Sequence, residues 1–170
     1  PLPGLPVTAQ LAAPFSGQRI DIDELNKRHN IDVLFNDVNG LGINPDSITD
    51  PDASGDAPEF LLSGGALNDV KVDGKPTQPD PHGNPNLWRY SFTGEFKLPD
   101  AADPTDPYNT IQIAFLPGSF SDAGLNSNAA TVQQFTLFHA TDPNAVKVVP
   151  TATVGGLLAT GTVSLQTLLT

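Results

Sequence analysis

From residue 88 to 98 the chain reads Trp-Arg-Tyr-Ser-Phe-Thr-Gly-Glu-Phe-Lys-Leu, with Trp88, Tyr90, Phe92, Phe96 and Leu98 on one side of a two-residue repeat and polar groups on the other. In an extended chain successive side chains point to opposite faces, so this pattern makes a strand with one buried face. Such a face needs a second apolar layer to cover it. Ile31, Val33 and Phe35 alternate in the same way, as do Ile111, Ile113 and Phe115. Shorter strands are expected over 59–63, 69–73, 133–139 and 145–149, each bounded by Pro, Gly, Asn or Asp. The one helix expected is 23–29, where Asp23 and Glu24 open the segment and Lys27, Arg28 and His29 close it, matching the helix dipole. The 15 Gly and 17 Pro supply the interruptions that many short strands require. The expected fold is therefore all-β, an antiparallel β-sandwich of about seven strands with extra terminal strands.

If the strands run up and down in order, the long connections 36–57, 74–86 and 117–130 emerge at one end, and 64–67 and 99–109 at the other. The first end is the richer in Asp and Asn. Residues 18–139 form the expected sandwich. Residues 1–17 read as a Pro-rich extension or edge strand, and 140–170 as an extension with further strands. The stretch 151–170 carries no charged residue, and a β-prone segment of that kind aggregates unless it pairs within the domain or with a neighbour.

Nineteen acidic residues against eight basic ones give a net charge of −11, which repels nucleic-acid phosphates and anionic lipid headgroups. No run of about 18 apolar residues is present to cross a membrane as a helix. With no Cys, disulfides, thiolate metal sites and cysteine nucleophiles are excluded. The absence of Met marks the sequence as a fragment, a processed product or an excised domain, and the proline-broken opening has no basic start of a signal peptide.

The segment Ile31-Asp32-Val33-Leu34-Phe35-Asn36-Asp37, followed by Gly42-Ile43-Asn44-Pro45-Asp46-Ser47-Ile48-Thr49-Asp50 and Glu59-Phe60-Leu61-Leu62-Ser63-Gly64, resembles bacterial Ig-like domains that occur in tandem in very large secreted or surface proteins, some calcium-dependent. The resemblance resumes at Arg89-Tyr90-Ser91-Phe92-Thr93-Gly94 and closes with Gly118-Ser119-Phe120-Ser121-Asp122 and Gln134-Phe135-Thr136-Leu137, spanning roughly residues 18–139. In the late loop the family's run is Asp, Ala, Gly, Asn; here Leu125 stands between Gly124 and Asn126, which alters that turn. The resemblance implies a structural or adhesive repeat at an extracellular or cell-surface address, with no catalytic residues to carry over. Its partners would be neighbouring domains or copies of itself, with a cell-surface protein or glycan as a further class.

Oxygen ligands are densest at Asn36, Asp37, Asn39, Asp46, Asp50 and Asp52 in the first long loop and at Asp122, Asn126 and Asn128 in the late loop. Asp37, Asn39, Asp46, Asp122, Asn126 and Asn128 are the metal-ligand candidates. Ca²⁺, which takes roughly six to eight oxygens, is the ion such a set would hold. The competing reading is turn chemistry, because Asp and Asn side chains bond nearby backbone and tolerate left-handed conformations. No EF-hand register or glycine-rich nonapeptide repeat decides between them.

Trp88, Tyr90 and Tyr108 could stack a sugar ring, but Trp88 and Tyr90 share the face of Phe92 and Phe96 and so read first as core. His29, His82 and His139 have no metal-motif spacing, and Ser119 lies outside any nucleophile elbow. The proline-stiffened stretch 76–85 reads as an inserted surface loop or a partner-contact tip. The expected function is a non-catalytic structural or adhesive module. A carbohydrate-binding module and a subunit assembling through its terminal strand are the alternatives.

Overall fold

The structure, a computed structural model, describes residues 4–50, 57–98 and 109–140. Eight strands and one short helix are found among them: β1 Thr8–Ala13, β2 Arg19–Asp21, α1 Ile22–Arg28, β3 Asn30–Asn36, β4 Phe60–Ser63, β5 Lys71–Val72, β6 Leu87–Thr93, β7 Thr110–Phe115 and β8 Thr131–Phe138. They form two four-stranded sheets, ordered β1-β3-β6-β5 and β2-β8-β7-β4. The protein is all-β, with the two sheets packed over one apolar core.

The alternating segments account for the centre of both sheets. In β3 the inward residues Ile31, Val33 and Phe35 are fully buried, and β6 sets Trp88, Tyr90 and Phe92 beside them in antiparallel register. From the other sheet, Ile111, Ile113 and Phe115 of β7 and Phe135 and Leu137 of β8 complete the layer. Phe60 of one sheet meets Tyr90 of the other edge to face at 4.9 Å between centroids, and Phe35 meets Phe120 of the β7–β8 connection in the same way at 4.6 Å. Each buried ring contributes roughly 1.5–3 kcal/mol through the area it removes from water, and the edge-to-face geometry adds to that.

The strand expected over 88–98 stops at Thr93. Gly94 takes φ +77 and lies so close to the Asp69 carbonyl that a Cβ there would meet it at 2.5 Å. The chain turns at that glycine and Phe96 and Leu98 still reach the core, with the Phe96 ring 5.2 Å from Phe92. The helix begins one residue earlier than expected because Asp21 caps it, its carboxylate accepting the Asp23 N–H. His29 closes it in a left-handed conformation.

The segment before residue 18 supplies β1, the edge of the first sheet antiparallel to β3, and β2 follows it at Arg19–Asp21 in the second sheet, parallel to β8. The chain changes sheets between them, past a cis Ala13–Pro14 peptide. Gln133 of β8 ties this edge to the other sheet, its Oε1 accepting the Leu11 N–H at 2.8 Å and its Nε2 donating to the Ala9 carbonyl at 3.0 Å. The strand expected over 145–149, and the uncharged stretch 151–170, lie outside the described residues.

The register fixes which connections share an end. β3 and β7 run toward the end from which 37–50 and 116–130 emerge, and β6 and β8 run away from it. The chain also enters there, since Leu5 bonds Asn39, and the described body ends at the opposite pole beyond Phe138.

Candidate functional site

Asp122 is the centre of the loop end. It is shut off from solvent, and four N–H groups point at its carboxylate: Gly124 N–H at 2.8 Å and Asn126 N–H at 2.9 Å to Oδ1, and Asn126 Nδ2 at 2.8 Å and Asn39 Nδ2 at 2.9 Å to Oδ2. Burial alone would raise its pKa, but the hydrogen bonds from Asn126, Asn39 and Gly124 outweigh it and hold the carboxyl below its ordinary range.

Asn39 is what makes this a joint between loops. Its Oδ1 accepts the Leu5 N–H at 2.9 Å and its Nδ2 donates to the Leu5 carbonyl at 2.8 Å. That pairing fixes the amide's orientation, so the nitrogen is the atom that faces Asp122. Asp37 holds the same loop from within, its carboxylate accepting the N–H groups of Asn39 and Gly42 at 2.8 Å each, and that of Leu41. Backbone bonds complete the seam, with Ala123 N–H to Gly42 O at 2.9 Å and Asn44 N–H to Ser121 O at 2.9 Å.

Of the six candidate ligands, Asp37, Asn39, Asp122 and Asn126 therefore meet in one network. Asn128 is buried in the same loop but turned elsewhere: its Oδ1 accepts the Phe120 N–H at 3.1 Å and its Nδ2 donates to Leu116 O at 2.7 Å. Asp46 lies on an exposed 3-10 turn, Pro45–Ser47, where Asn44 caps the Asp46 N–H. Asp52 lies outside the described residues. The inserted Leu125 is accommodated by a left-handed conformation, φ 64, with its side chain 75% exposed. The Asp37 and Asp122 carboxylates and Asn39 Oδ1 face N–H groups of the protein itself, which is the geometry of turn and loop capping.

Two arrangements had no signal in the spacing of residues. Glu59 is buried at the start of β4, where Oε1 accepts from Thr49 N–H at 2.6 Å and Thr49 Oγ1 at 3.0 Å, and Oε2 accepts from the Tyr90 hydroxyl at 3.2 Å. Desolvation raises the Glu59 pKa, and burial followed by the Glu59 charge pushes that of Tyr90 well up. The second arrangement is Asp21, Asp23 and His139, whose ligand-type atoms come within 4.8 Å of one another. Asp23 and His139 are exposed and Asp21 already caps the helix, so this is an ordinary acidic helix start beside a histidine.

Trp88 and Tyr90 are core residues, leaving neither ring free for a sugar face, and Tyr108 lies outside the described residues. The 76–85 loop is held to β6 by reciprocal backbone bonds between Thr77 and Arg89, at 3.0 and 2.7 Å. Searches of protein-family models, of curated proteins and of solved structures found no match to this chain.

Proposed function

We propose that the chain is a non-catalytic structural module of Ig-like type, a repeat unit of an extracellular or cell-surface protein that carries tension between neighbouring domains. The strand order supports the Ig-like reading. With β1 and β2 taken as one first strand shared between sheets, strands one, two, five and four make one layer and three, six and seven the other. The net charge of −11 and the absence of Cys suit an extracellular surface whose rigidity does not come from disulfides.

The observation that carries the proposal is the path of the chain. It enters at the loop end, where Asn39 grips Leu5, and the body closes at the opposite pole with β2 and β8 lying parallel at Arg19↔Thr136, Ile20↔Leu137 and Asp21↔Phe138. Tension along the chain then pulls β2 and β8 in opposite directions along their shared ladder. Their hydrogen bonds are loaded together in shear, where an unzipping geometry would break them one at a time. The acidic loop end is the joint toward the preceding domain, and the Asp122 network stiffens it.

Single-molecule pulling through the two chain ends tests this. The expected result is one cooperative rupture at a force that falls when Gln133→Ala removes the tie between β1 and β8. Gradual extension without a discrete rupture would overturn the reading.

A further inference from the structure

Among the described residues the two sheets have four edge strands, β1, β5, β2 and β4, and these are guarded unequally. At β1 the Gln133 amide covers backbone groups of Ala9 and Leu11. β5 is two residues long and begins with Lys71, and β2 is three residues long with Arg19 and Asp21 on its outer side. Short length, charge and capping are the usual protections against strand-to-strand association. β4, Phe-Leu-Leu-Ser, has no charge and no proline, and among the described residues it pairs only with β7.

Leu116 N–H donates to Glu59 O at 2.9 Å, which sets the alternation of the β4–β7 ladder. The backbone groups of Glu59, Leu61 and Ser63 face β7, and those of Phe60 and Leu62 face away from the sheet. On the outer face Leu61, 53% exposed, heads a row through Ala114 to Val132, 63% exposed. The next row is Ser63, Gln112 and Gln134. None of these six residues is charged, in a chain of net charge −11.

We propose that β4 seats a symmetric contact with a second copy of this chain, the two β4 strands pairing antiparallel about a twofold axis at Leu61. Identical acidic chains repel one another over most of their surfaces, so an uncharged strip is where two copies approach at least cost. A twofold contact needs a patch complementary to itself, and this register supplies one. Phe60 of each copy exchanges backbone hydrogen bonds with Leu62 of the other, using the groups that face away from β7. Leu61 then lies opposite Leu61 with Cβ atoms about 4.5–5.5 Å apart, and the Val132–Ala114–Leu61 row runs unbroken across both copies.

Because the chain has no Cys, Leu61→Cys introduces a single thiol, and the non-hydrogen-bonded pair brings the two Cα atoms within the roughly 4.4–6.8 Å that a disulfide spans. The measurement combines sedimentation of the wild-type protein over a range of concentrations with mild oxidation of Leu61→Cys. Val38→Cys, at a loop position 64% exposed, is the control for random collision. The expected results are a concentration-dependent dimer, disulfide formation at least about tenfold faster for Leu61→Cys than for Val38→Cys, and a monomer for Leu61→Lys whose thermal unfolding matches the wild type at concentrations where the wild type is itself monomeric. Should Leu61→Lys fail to fold, Leu61→Ser gives the same reading. A wild type that stays monomeric, cross-linking no faster than the control, or a dimer that survives Leu61→Lys would overturn the proposal. The last of these, with dimer lost on removing 141–170, would make the terminal segment the occupant instead.

Discussion

Asn39 Nδ2 lies 2.9 Å from Asp122 Oδ2, joining loops 83 residues apart in the chain, while the rest of the same amide is paired with the backbone of Leu5. One side chain thus fastens the entering chain, the β3–β4 connection and the β7–β8 connection to a single carboxylate. Replacing Asn39 by Ala removes all three side-chain hydrogen bonds, and the expected loss is about 1–3 kcal/mol in denaturant unfolding. Asp122→Ala strands four donors at once and is expected to cost more than Asn39→Ala. The double variant should lose less than the two single losses added, since both act on one network. Strict additivity would show that the two loops are held independently.

Glu59 and Asp122 are expected to give opposite pH signatures. The Glu59 carboxyl is raised above its ordinary 4.5, so the folded state binds its proton more tightly than the unfolded state does; its contribution is full below 4.5 and is lost as pH rises through the folded value. Asp122 is lowered below 3.8, so its contribution is present above 3.8 and is lost as pH falls through the folded value. Glu59→Gln keeps an acceptor for Thr49 and removes the charge. Stability should then no longer decline above pH 4.5 on that account, and an unaltered slope in urea melts across pH 4–7 would contradict this.

Tyr90→Phe leaves Glu59 Oε2 without its hydroxyl donor inside the core. The expected cost is about 1–3 kcal/mol, the range for a buried polar group that loses its partner. A neutral result would place water at that oxygen.

Leu125 holds a left-handed conformation with its side chain in solvent, so it carries strain without packing in return. Leu125→Gly removes a conformational cost of roughly 1–2 kcal/mol, partly offset by glycine's greater freedom when unfolded. A modest rise in melting temperature is expected. Gly94→Ala should do the reverse, because φ +77 is combined there with the Asp69 carbonyl in the way of a Cβ.

Trp88 is buried among apolar neighbours, and its emission should be blue-shifted and protected from iodide. A red, quenchable emission would reopen a sugar-stacking role for that ring.

The alternating segments around Val33, Tyr90 and Ile113 were legible because large apolar residues contrast with polar neighbours at period two, and each became a central strand. β1 was faint because Ala9, Ala12 and Ala13 give little contrast, and β2 because three residues cannot establish a period. The end of β6 was hidden because Phe96 and Leu98 keep the alternation going after the chain has turned at Gly94. The loop end was visible as a gathering of Asp and Asn, since strand direction alone brings 37–50 and 116–130 together. Which atoms those side chains turn toward was not visible. Asn39 and Asp122 are neighbours only through the fold, as are Glu59 and Tyr90.

If this loop end is rigid through its own hydrogen bonds, a cation adds nothing to it, and thermal unfolding of chelator-treated protein with and without millimolar Ca²⁺ is the test. A ligand held only by the native state must raise its stability by mass action. The same melting temperature is expected in both, with Asp122→Ala lowering it equally in each. A clear upward shift with Ca²⁺ that Asp122→Ala abolishes would contradict this and make the same carboxylate a cation ligand.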